Sequence, residues 1–120
     1  MIVSRRSLLL AGSAALATSS LGRTAFSQAG DTIKIGVLAD FSGIYTDLLG
    51  LPGVECAKQA AEEFMAQHKD IKVEVVHADH QNKADVGAAV ARRWFDTDGV
   101  DMLIAGPNSS VGLAASFVCK

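Results

Sequence analysis

Asn108-Ser109-Ser110 follows the strand-breaking pair Gly106-Pro107 and opens what reads as a helix. Unpaired backbone N–H groups, the positive end of the helix dipole and two hydroxyls make such a place a carboxylate site. One serine is enough to cap the helix, which leaves the other to face a ligand. Asn108, Ser109 and Ser110 are therefore candidate ligand-binding residues. Tyr45 and Asp47 form a second group in an earlier loop. A tyrosine offers a flat apolar body with a hydroxyl at its tip. Asp47 has the charge to receive an ammonium group or a hydroxyl. The plainer alternatives are an ordinary serine cap, a tyrosine packed on its own loop and a solvated acid.

Catalytic chemistry finds less support. The first strand is not followed by GxGxxG, and the chain has neither a P-loop nor a GxSxG elbow. His77, Asp79 and His80 lie close in sequence, but adjacent residues at a strand end point in different directions. With no third ligand placed nearby they read as a solvated turn, not a metal site. A phosphate-accepting receiver domain would need an aspartate ending the third strand, where this chain has Gly106-Pro107. No catalytic residue, cofactor or metal is expected.

These candidates must be positioned by alternating strands and amphipathic helices. The first strand covers residues 33–39 and is almost wholly apolar after Gly36, as in a strand covered on both faces. A loop over 40–52 leads to a helix at about 53–68, with Ala57, Ala60, Ala61 and Phe64 on its buried face. The second strand, 71–78, alternates at its start, which fits a place near the sheet edge. Asn82 is the expected N-cap of a helix at about 83–97, with Asp85 in the capping-box position. Val86, Ala89, Val90 and Trp94 mark its buried face. The third strand is 100–105, and Ser109 or Ser110 caps the last helix. Alternation of this kind implies a three-layer α/β/α fold with a parallel sheet, and the right-handed crossover rule favours strand order 2-1-3. Ligands bind beyond the carboxyl ends of the strands where the winding reverses. That rule selects residues 41–52 and 106–110, the same loops that hold the candidates.

The chain begins with an export signal. Arg5 and Arg6 precede an apolar run over 8–21, and Ser27-Gln28-Ala29 places small residues at a cleavage site after Ala29. Ser-Arg-Arg-Ser-Leu-Leu and the diluted apolar run fit a twin-arginine signal, so residues 1–29 are read as cleaved. The signal contains three of the eleven basic residues and no acid, so residues 30–120 keep eight basic against thirteen acidic residues. That balance argues against nucleic acid and anionic membrane surfaces as partners. Cys56 and Cys119 match no metal spacing and read as small buried hydrophobes.

The stretches IKIGVLADFSGIYTDLLGLPG and VVHADHQNKADVGAAVARRWFDTDGVDMLIAGPNSS resemble the periplasmic solute-binding proteins of branched-chain amino-acid type. The resemblance covers residue 33 to about residue 115. It implies a two-lobed receptor that closes on a small-molecule solute and delivers it to the permease and ATPase subunits of an ABC transporter in the periplasm. It also implies that Ser109 holds a carboxylate and that Tyr45 lies in the loop covering the solute. Some relatives join the turns after strands 2 and 3 by a disulfide; the residues here are about Gln81 and Asn108, so that staple is missing. The Tyr-Thr-Asp and His-Gln-Asn-Lys segments look like a branch that includes receptors for aromatic acids. Members of the family are several times longer, so residues 30–120 are expected to form the N-terminal part of an incomplete first lobe, with an exposed third-strand edge. The rival readings are the N-terminal part of an exported α/β enzyme and of a ligand-sensing receptor domain.

Overall fold

The computed structural model describes residues 32–119. The export-signal reading therefore lies outside the described residues. The elements run β1 Thr32–Ala39, α1 Thr46–Leu49, α2 Leu51–Gln67, β2 Lys72–Asp79, α3 Ala84–Arg93, a π-type turn Trp94–Asp98, β3 Met102–Ala105 and α4 Ser109–Val118. The strands form one parallel sheet in the order β2-β1-β3, as the alternating pattern predicts. In register, Ala39 lies opposite Asp79 and Leu38 opposite Ala105, so all three strands end at one edge.

The alternation of side chains along β1 builds both halves of the core. Val37 and Ala39 point to one face, where Val54 of α2 closes over them with Leu49, Ala57, Val75 and Ile104. Leu38 points to the other face, into a cluster with Ala91, Trp94, Val100, Val111 and Ala115 from α3, α4 and the segment between α3 and β3. Helices thus cover the second half of the central strand on both sides, which is why its sequence is apolar without a break from Gly36 to Ala39. Gly36 is required by this packing. A Cβ there would sit 2.5 Å from the Trp94 ring, well inside van der Waals contact.

The buried face of α3 falls one residue away from the expected phase. Gly87, Ala91 and Trp94 are buried, Val86 and Val90 are half-buried, and Ala89 is exposed. The cause is the approach of α4: Val111 packs where a Cβ on Gly87 would lie, so the smallest residues occupy the contact. The helical run covers the expected length, but its regular α part stops at Arg93. Its last turn widens over Trp94–Asp98 and stops at Gly99, whose φ of 66° is left-handed.

Three further expectations need correction. On α2 the buried residues are Val54 and Ala61; Ala60 is exposed and Phe64 is 38% exposed, with its ring stacked on His68 at 4.3 Å. Ala60 and Phe64 line an open apolar cleft of about 330 Å³ with Ile33, Ile35, Val73 and Met102, because nothing among the described residues covers that end of the sheet face. Cys56 and Cys119 are free and exposed, not buried. Cys56 follows Glu55 on the outer side of α2, and Cys119 follows the last turn of α4, where its Sγ donates to the Ala115 carbonyl. The cap of α3 is Lys83, in extended conformation and without a side-chain bond, because Asn82 lies in the left-handed region at φ 56° and its side chain is used elsewhere.

Candidate functional site

The candidate site is the edge where the strands end, and three short segments meet there. The segments after β2 and β3 are each tied to β1 by a backbone bond in sheet direction: His80 N–H donates to the Ala39 carbonyl at 2.9 Å, and Gly106 N–H to the Leu38 carbonyl at 2.9 Å. These bonds carry the ladder one step past each strand, so the loops leave from defined points.

The first loop is folded around Asp40, which is completely buried. One carboxylate oxygen accepts from Gly43 N–H at 2.8 Å and Ser42 N–H at 3.4 Å, and the other accepts from Tyr45 N–H at 3.2 Å. Among the described residues, backbone donors alone bond to this acid. Gly43 is needed for the wrap, since a Cβ there would collide with the carboxylate. Tyr45 leaves the loop as the N-cap of α1 and is half-buried, with its carbonyl accepting from Leu48 at 3.0 Å and Leu49 at 3.3 Å. Asp47 stands in the first turn of α1 and is exposed. Ile44 and Leu48 beside them are also exposed, so the loop presents both polar and apolar groups.

Asp79, at the end of β2, locks this loop to its neighbour. Its Oδ1 accepts from Phe41 N–H at 3.2 Å and Gln81 N–H at 2.7 Å, and its Oδ2 from the Ser42 hydroxyl at 2.7 Å. Burial pushes the carboxyl up, but the bonds from Gln81, Ser42 and Phe41 and the nearness of His80 outweigh it. The net effect holds Asp79 below its ordinary value. This acid is committed to loop geometry. The solvated-turn reading of His77, Asp79 and His80 also needs correction: His80 is fully buried, and its Nδ1 accepts from Asn82 N–H at 3.0 Å. Its Nε2 has no partner among the described residues. His77 stays exposed, edge-on to Phe41 at 5.4 Å.

At α4 the cap is Asn108, not a serine. Its Oδ1 accepts from Ser110 N–H at 2.9 Å, Val111 N–H at 3.1 Å and the Ser110 hydroxyl at 2.7 Å. Two of the helix-end donors and one of the two hydroxyls are thus already used. Ser109 is exposed, and its hydroxyl makes no hydrogen bond within the described residues. The Nδ2 of Asn108 donates to Oδ1 of Asn82, bridging the segments after β2 and β3 where the family resemblance leaves no disulfide. The structure therefore brings Asn108, Ser109 and Ser110 together, with Tyr45 and Asp47 on the loop after the neighbouring strand. Asp40, Asp79 and Asn82 were missed as members of the site. An acid placed immediately after a buried apolar strand and before a Ser-Gly turn, as Asp40 is, is the signal that marks such a loop anchor.

Residues 32–120 match a protein family described as periplasmic binding protein. No curated protein matches. Among solved structures, the chain is similar to a periplasmic binding protein from Burkholderia mallei, with 42% identity over 74% of this chain and 24% of that one, at a TM-score of 0.67. A branched chain amino acid ABC transporter periplasmic ligand-binding protein from Burkholderia xenovorans LB400 shares 37% identity over 72% of this chain and 23% of that one, at a TM-score of 0.63. A possible leucine/isoleucine/valine-binding protein from Rhodopirellula baltica SH 1 is 16% identical over 75% of this chain and 25% of that one, and its TM-score of 0.67 bears on the fold alone. The chain thus spans about a quarter of the length of these structures. With the family match running through every described element and the sheet in the order β2-β1-β3, the chain belongs to the periplasmic binding protein family.

Proposed function

We propose that this chain supplies the N-terminal part of the first lobe of a solute receptor, which captures a small carboxylate solute for an ABC-type uptake system. The solute class is branched-chain or other amino acids, or aromatic acids. In this reading residues 1–29 form a cleaved twin-arginine signal, residues 30–120 act in the periplasm, and a permease and an ATPase receive the solute. The protein binds and does not catalyse. The observation that carries the reading is the N-terminus of α4: Ser109 is exposed with its hydroxyl unengaged, beside a helix end whose cap is already provided by Asn108. A carboxylate placed there gains a hydroxyl donor and the favourable end of the helix dipole. Tyr45 would cover the solute from the loop after β1, and Asp47 would face its ammonium group. The relatives' described roles support the same class of activity.

The test is calorimetric titration of the full-length protein with L-leucine, L-isoleucine, L-valine and 4-hydroxybenzoate. Ser109→Ala combined with Ser110→Ala is expected to weaken binding about ten- to hundredfold, as loss of one or two hydrogen bonds to a charged group does. Unchanged affinity for a solute that the parent binds would remove the carboxylate assignment. Turnover of the bound solute would favour the enzyme reading instead.

A further inference from the structure

We propose that Asn82 is a positioning residue for the α4 site, acting through Asn108. The proposal rests on the reading of residues 108–110 as the carboxylate site.

Asn108 has two chemically different ends, and each has a different duty. Its Oδ1 accepts from two backbone N–H groups and the Ser110 hydroxyl. Its Nδ2 can only donate, and it meets Oδ1 of Asn82. The side chain is therefore held at both ends. An amide gripped only at its oxygen can swing about that point, and Ser109 or Ser110 can then compete to cap the helix. Gripped at both ends, Asn108 keeps the cap and leaves the Ser109 hydroxyl for a ligand.

Asn82 is itself braced from below. Its backbone N–H donates to Nδ1 of His80 at 3.0 Å, and Lys83 N–H donates to the His80 carbonyl at 2.9 Å. His80 is fully buried, with its Cβ 3.7 Å from where a Cβ on Gly87 of α3 would lie. The turn that results places Gln81 and Asn82 both in the left-handed region, at φ 51° and 56°. Asparagine is one of the few residues with a side chain that adopts this conformation readily. One residue thus satisfies the backbone of the second turn and supplies the acceptor for the third. The line runs from a packed imidazole in the core, through the Asn82 backbone and side chain, to the cap of α4.

The experiment uses the full-length protein and two variants that separate these duties. Asn82→Gly keeps the left-handed backbone and deletes the acceptor. Asn108→Ser keeps a cap and deletes the Nδ2 donor. Amide hydrogen exchange at Ser110 and Val111, followed by NMR without ligand, is expected to quicken about three- to tenfold in Asn82→Gly, with the urea midpoint close to the parent's. In the Asn108→Ser background, adding Asn82→Gly should change neither exchange nor affinity further. Asn82→Asp, which keeps an acceptor, should restore the slow exchange. Affinity for L-leucine is expected to fall about three- to tenfold in Asn82→Gly. Unchanged exchange at both amides overturns the proposal. If the Ser109→Ala, Ser110→Ala pair loses affinity while Asn82→Gly does not, positioning is wrong and the site reading survives. If neither loses affinity, both are wrong.

Discussion

Replacing Asp40 by asparagine is expected to cost far more than its isosteric shape implies. The wild-type carboxylate faces only donors: Gly43 N–H at 2.8 Å and Ser42 N–H at 3.4 Å on one oxygen, Tyr45 N–H at 3.2 Å on the other. An amide has one acceptor and one donor, so neither of its orientations suits both sides. One orientation sets NH2 against Tyr45 N–H, and the other sets it against Gly43 N–H. Hydrogen bonds to a charged acceptor contribute about 1.5–3 kcal/mol each. The 3.4 Å contact adds little, and Gly43 lies where water can reach a freed N–H. The loss is then one charge-assisted bond, a weakening of the second and a donor facing a donor, about 2–3 kcal/mol in all. For a domain of this size that is a large share of a total stability of about 5–15 kcal/mol. Urea unfolding followed by the fluorescence of Trp94, the chain's single tryptophan and a buried one, reads it directly. The midpoint should fall by roughly 1–2 M at unchanged slope. Asp47→Asn is the control: this acid is exposed and should move stability by no more than about 0.5 kcal/mol. If Asp40→Asn unfolds within about 0.5 kcal/mol of the parent, the loop is not organised around a carboxylate and the reasoning fails.

Two further outcomes are expected. The Asp79 carboxyl lies below its ordinary value in the folded chain, so the stability it contributes is present above the unfolded value of 3.8 and is lost as pH falls through the folded value. Acid titration of stability should therefore show a loss below about pH 4 that is reduced in Asp79→Asn; identical acid limbs for parent and variant would contradict it. Cys56 and Cys119 are both exposed, so a thiol reagent should label two groups in the native protein without denaturant; labelling only after unfolding would show that they are covered.

The strands and their order are legible in the sequence because they follow from spacing. β1 is apolar on both faces and β2 alternates, which places one in the centre and the other at the edge. The misread features depend on partners distant in the chain. Gly87 does not look like a buried residue until Val111 of α4 arrives against it. Asn82 carries every local mark of an N-cap, yet its side chain turns to Asn108, 26 residues further on. The cap of α4 shows a different limit, since Asn108 and the two serines all suit the role and only geometry separates them. Phe64 and Ala60 follow a helical stripe correctly but meet an open cleft, because periodicity predicts a face and not what covers it. In the site, the candidate residues are readable from their chemistry and Asp40 from its place before a Ser-Gly turn, whereas Asp79 bonds to Phe41 and Ser42, 38 and 37 residues away, a pairing that no local spacing contains.

The central place of β1 also governs how the sheet can assemble. β1 precedes both of its partners, and they pair with it from roughly 40 residues away for β2 and roughly 67 for β3, so closing the longer loop costs only about 0.5 kcal/mol more. Chain entropy therefore barely ranks the two pairings, and side-chain packing must choose between them. The β1–β2 pairing spans eight residues of register and the β1–β3 pairing four, which favours β2 as the earlier partner. A chain emerging from the ribosome would then hold β1 unpaired until β2 has followed it out, and the bonds from Phe41 and Ser42 to Asp79 at the end of β2 would fix the loop after β1 at that stage, before β3 arrives.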